Sequence, residues 1–139
     1  MQKASMKRRI TLLALAAAWI AIIAVAYATL TRVGFVYSIY FKLAPLLMRP
    51  EMGTYAHYVH IIAFALVGAL FAFAYPNRIL LVGCIVLGGA ALLEIAQTLT
   101  PDRHGTVIDA LEKIAGGAAG IMLVRIVRHF GRKVKTAAD

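Results

Sequence analysis

The sequence predicts an all-α integral membrane protein with four transmembrane helices and both termini on the cytoplasmic side. Three observations predict it. Of the 139 residues, 62% are hydrophobic and 15% are charged, whereas a soluble domain averages about half and about a quarter. The apolar residues gather into four stretches near the ~20 residues that a helix needs to cross a hydrocarbon core. The basic residues bunch at the two ends of the chain, beside those stretches. Their position turns the net charge of +9 into a signal of topology and anionic lipid, with no nucleic-acid partner expected. The length suits a single domain and is short for an inverted-repeat transporter. The single cysteine, Cys84, sits inside an apolar run, so neither a disulfide framework nor a CxxC metal site is available.

The first unit, residues 1–30, opens with Lys3, Lys7, Arg8 and Arg9 and continues into the apolar run Ile10 to Leu30. At about 1.5 Å per residue this run is long enough to span a bilayer. Ala26-Tyr27-Ala28 resembles a small-x-small cleavage site. The run exceeds the ~7–15 apolar residues of a signal peptide, so an uncleaved span is expected. Residues 31–56 form an extracytoplasmic or interfacial connection. Pro45 and Pro50, with Arg32, Lys42, Arg49 and Glu51, interrupt any span there. The aromatics Phe35, Tyr37, Tyr40 and Phe41 suit a segment along the headgroups, or an ordinary loop.

Residues 57–127 make a three-helix core. A second span runs from about His57 to Tyr75, and Pro76-Asn77-Arg78 makes a short turn. The third span runs from Ile79 to about Leu99, and Thr100 to Gly105 is a second short turn. The fourth runs from about Thr106 to Val127, with Glu112 and Lys113 making it the least apolar. The tail, residues 128–139, is basic and anchors to the membrane surface. This threading puts ten basic residues on the side of the termini and four on the other, a bias that sets the termini inside, in the cytoplasmic membrane.

The same threading brings polar residues together. His60, Glu94 and Asp109 each fall roughly 5–8 Å below the outer surface, by the rise of their helices. Gln97 shares a face with Glu94, and Arg103 lies in the outer turn. Charges at the bilayer centre cost about 2.5–3.5 kcal/mol on insertion scales, so these groups are expected to face one another inside the bundle. Asp109, Lys113, Gly116 and Gly120 form a stripe on the fourth span. Asp109 and Lys113 are expected to pair within the helix. Glu112, off the stripe, is expected to snorkel outward or to meet Arg103. Gly116 and Gly120 make a GxxxG step for close helix packing. The candidate polar pocket is therefore His60, Glu94, Gln97, Arg103, Asp109 and Lys113. Glu94 and Arg103 suit a phosphate or carboxylate headgroup, or an internal salt bridge. His60 with Asp109 suits a general base with its orienting partner, or a structural pair. His57, His60, His104, Glu94 and Asp109 could supply metal ligands, but no HxxxH or HExxH spacing is present, so no metal and no cofactor is expected.

At these residues the chain resembles the VanZ-like family of small membrane proteins. His60, Phe64 and Gly68 fit the first part of the family pattern. Glu94, Gln97, Pro101, Arg103, Thr106, Asp109, Gly116 and Gly120 fit the second, and Lys113 stands where the family usually has Asn. The resemblance covers about Tyr58 to Leu123. It implies an envelope role, linked to glycopeptide resistance, and no particular reaction. The expected function is that of a non-enzymatic factor binding membrane lipid, a lipid-linked or cell-wall precursor, or a partner enzyme. The alternative is a membrane enzyme acting on such a precursor, and a small oligomeric transporter is least favoured.

Overall fold

The apolar runs fold as helices in the computed structural model, which describes residues 2–31, 42, 52–99 and 106–136. In chain order these are α1 (Gln2–Leu30), α2 (Met52–Ala74), α3 (Ile79–Thr98) and α4 (Val107–Thr136). Arg103, His104 and most of the connection over residues 31–56 lie outside the described residues. Helices α1, α2 and α3 are each long and apolar enough to cross a membrane. In α4, Asp109, Glu112 and Lys113 break the apolar pattern near its start, and Arg125 and Arg128 do so further on.

Three helices outrun their predicted spans, α2 beginning at Met52, five residues before His57. α1 begins eight residues before Ile10 and α4 continues nine residues past Val127. Lys and Arg are good helix formers, so hydropathy marks the apolar segment of a helix and not its ends. Between α2 and α3 the turn at Pro76-Asn77 falls where the proline places it.

Short turns make neighbouring helices antiparallel. The C-terminal end of α1 meets that of α3, where Gln97 Nε2 donates to the Thr29 carbonyl at 3.1 Å. At the opposite end, Arg128 on α4 donates to the Ala72 and Phe73 carbonyls at 3.0 and 2.9 Å. Those carbonyls belong to the last turn of α2, where helix geometry leaves acceptors without intrahelical donors. Arg128 also lies 5.1 Å from the centre of the Phe73 ring.

The tightest crossing is between α2 and α4. A Cβ placed on Gly116 would come within 2.9 Å of Ile61 Cα, and one on Gly120 within 2.8 Å of the Ala65 carbonyl carbon. Gly68 on α2 faces Gly117 in the same way. The glycines thus let two backbones touch, as the GxxxG spacing predicts. Of the α3 glycines, which by their small size could offer a matching smooth surface, Gly83 and Gly88 have nothing within 4 Å of where a Cβ would sit, and at Gly89 a Cβ would meet Ile22 of α1 at 3.6 Å. Below the crossing, Ala18, Val67, Phe71, Val82, Val86 and Ile121 form the main apolar cluster. Trp19 meets the Phe71 ring edge-on at 5.3 Å and donates from Nε1 to the Tyr75 hydroxyl at 3.3 Å. A second cluster of Phe64, Ala90 and Leu93 lies under the polar end. The outer faces carry Leu12, Leu13, Leu66, Leu80, Leu92 and Val127 exposed, a wide apolar surface suited to lipid.

Candidate functional site

The polar residues divide into two groups on either side of α4. The first is closed. Lys113 is fully buried, and its ammonium pairs with Glu94 Oε2 and donates to Gln97 Oε1 at 2.8 Å. The second oxygen of Glu94 accepts the Thr106 backbone N–H at 2.7 Å. Gln97 passes the network on to the carbonyl of Thr29 in α1. Thr106 in turn caps α4, its Oγ1 accepting the Asp109 N–H at 3.1 Å. Burying a lysine and a glutamate is tolerable only when both charges and their remaining hydrogen-bonding positions are met. Here α1, α3 and α4 meet them together, and the network roofs the Phe64 cluster.

This arrangement corrects two expectations. Lys113 pairs with Glu94 across helices and not with Asp109 one turn away. A long lysine stem can reach a second helix, and a carboxylate already held by a backbone N–H is the better-organised partner. Glu112 does not snorkel outward. It turns toward α2, with its side chain only 17% exposed.

The second group is open. His57 and His60, three apart on α2, face Asp109 and Glu112, three apart on α4. His57 Nδ1 lies 2.6 Å from Glu112 Oε1 and 3.9 Å from Asp109 Oδ1. His60 Nδ1 lies 3.6 Å from Asp109 Oδ1 and 3.7 Å from Glu112 Oε2. The His57 side chain is 46% exposed, so the group opens outward past it. Inside, His60 Nδ1 and Glu112 Oε2 are buried with no hydrogen-bond partner. Residues at i and i+3 share a helix face, and the glycine crossing draws α2 and α4 close enough for the two pairs to meet.

The structure thus brings His60 to Asp109, and joins Glu94, Gln97 and Lys113. His57 and Glu112 fall outside the pocket expected from sequence. The signal that could have found them is the matched spacing, His57-x-x-His60 against Asp109-x-x-Glu112, at adjoining ends of two antiparallel helices. Ligand spacing along a single helix cannot reveal a metal site shared between two. His57, Asp109 and Glu112 present ligand atoms within 4.8 Å of one another from two helices. At the far end of the bundle a cleft of about 530 Å³ is lined by Asn77, Arg125, Arg128, His129 and Arg132 among others. No family model, curated protein or solved structure matches the chain.

Proposed function

We propose that this chain is a VanZ-like membrane protein of the bacterial cell envelope. In this reading all four helices span the cytoplasmic membrane with both termini inside, and the open polar group faces the outer leaflet. There it holds the headgroup of a lipid-linked or cell-wall precursor, or docks a partner enzyme, without chemistry of its own. The envelope setting and its link to glycopeptide resistance rest on the resemblance. Insertion of α4 is supported by its backbone contact with α2 through Gly116 and Gly120, since a helix packed that closely on a span enters lipid with it. The distribution of basic residues supports the orientation.

One observation carries the binding reading. A half-open cluster of two histidines and two carboxylates sits beside a fully satisfied ionic network, and two of its buried polar atoms have no partner. Polar atoms near a membrane surface are costly to leave unmet, and such residues mark function by default. Native mass spectrometry of the chain released from mild detergent tests the idea. A lipid-linked adduct that falls away in Asp109→Asn and Glu112→Gln supports it, and an adduct equally retained by both variants refutes it. The close approach of His60 to Asp109 favours a second reading, a membrane enzyme with His60 as base. That reading requires His60→Gln to abolish turnover while the protein stays folded.

A further inference from the structure

We propose that His57, His60, Asp109 and Glu112 form a binding site for one divalent transition-metal ion of the zinc class. Donor type is the first ground. Two imidazole nitrogens and two carboxylate oxygens are a ligand set for zinc and its first-row neighbours, while calcium and magnesium prefer oxygen alone. Geometry is the second. Zinc holds nitrogen and oxygen at about 2.0–2.2 Å in a tetrahedron, which separates ligand atoms by roughly 3.3 Å. One ligand atom each from His57, Asp109 and Glu112 lies within 4.8 Å of the others, and His60 Nδ1 stands 3.6 Å from Asp109 Oδ1 and 3.7 Å from the second Glu112 oxygen, Oε2, so small side-chain shifts bring the set to that spacing. The separation between His57 Nδ1 and Glu112 Oε1 is a 2.6 Å hydrogen-bonding distance and would open slightly as the ion replaces the shared proton.

Charge and satisfaction point the same way. With neutral histidines the cluster carries two negative charges, and Lys113, the cation beside it in sequence, is already engaged by Glu94. A cation held between α2 and α4 would offset the repulsion of the two carboxylates. It would also give His60 Nδ1 and Glu112 Oε2, both buried and unpartnered, the bond that each lacks. Coordination through Nδ1 puts each imidazole proton on Nε2, the tautomer that keeps a donor for solvent or ligand. Because the side chain of His57 is 46% exposed, an ion can reach the site from the open side. The metal site occupies the recess of the proposed headgroup reading but requires no headgroup.

The test uses the full chain in mild detergent, stripped with EDTA and titrated with Zn²⁺ against a chromophoric indicator, with bound zinc counted by elemental mass spectrometry. One zinc per chain is expected. Glu112→Gln and His57→Ala should each weaken binding at least about tenfold, and His129→Ala should leave it unchanged. Zinc should also shield His57 and His60, but not His129, from diethyl pyrocarbonate in the unmutated chain, a readout that depends on no variant folding. A roughly hundredfold excess of Mg²⁺ should not displace the ion. Zinc that binds equally to wild type and His57→Ala, or that shields neither histidine, overturns the site. Displacement by Mg²⁺ overturns the metal class. No lipid-linked ligand is added and bound zinc is counted directly, so the outcome stands apart from that of the co-purification experiment.

Discussion

Two polar groups share the first turns of α4, and they have opposite characters. The Glu94–Gln97–Lys113 network is buried, with every named contact directed inward to α1, α3 or the start of α4. The His57–His60–Asp109–Glu112 group is partly exposed and keeps buried atoms without partners. The difference teaches how a membrane bundle allots its charges. A satisfied pair acts as a fastener, because removing either partner leaves an uncompensated charge in a low dielectric. An unsatisfied cluster that reaches the surface adds little stability and is free to be used. Three residues of the pocket expected from sequence, Glu94, Gln97 and Lys113, are the fastener. His57, outside that pocket, stands at the mouth of the open group.

The largest effect should come from breaking the fastener. Lys113→Met is expected to cost about 3–5 kcal/mol, because it strands Glu94, and to lower the unfolding temperature in detergent sharply. The double variant Lys113→Met with Glu94→Gln should recover part of that loss, a coupling that a thermal-unfolding cycle measures. Additive losses would mean that the two residues act separately.

Next comes the crossing that positions both groups. Gly120→Leu should cost about 1–3 kcal/mol by forcing a side chain into the Ala65 backbone, and it should disturb both groups at once. Gly83→Ala, where nothing lies within 4 Å of a Cβ, should be neutral or raise stability by about 0.5–1 kcal/mol. Equal effects at the two glycines would show that the crossing does not depend on backbone contact. Arg128→Ala, which frees the Ala72 and Phe73 carbonyls at the far end, should cost about 1–2 kcal/mol. His57→Ala should change stability least, by within about 0.5 kcal/mol, while weakening whatever the open group binds. A His57→Ala protein that unfolds as early as Lys113→Met would erase the contrast between fastener and open cluster.

Apolar runs, proline and basic flanks made much of this architecture legible. Pro76 stops α2 and Ile79 restarts the chain, because proline lacks a donor and the following run is apolar again. The Gly116-x-x-x-Gly120 step announced a close crossing, since only glycine lets two backbones touch. Helix ends were harder to read, because Lys and Arg extend a helix without adding hydropathy, as the starts and tails of α1 and α4 show. The spacing also placed His60, Glu94 and Asp109 toward one end. It did not say which carboxylate would take Lys113, as Asp109 is four residues away on the same helix and Glu94 is on another.

The sequence by itself determined that this chain makes apolar helices long enough for a membrane, and that His60, Glu94 and Asp109 lie toward the same end of the bundle. Both follow from composition and from the fixed rise of a helix, which are local properties. Only the tertiary structure decided how those residues are partnered. Pairing depends on how far apart the helices lie and how they are rotated, and the glycine contact of α2 with α4 sets both. That contact turned Glu112 toward His57 and left Lys113 to Glu94.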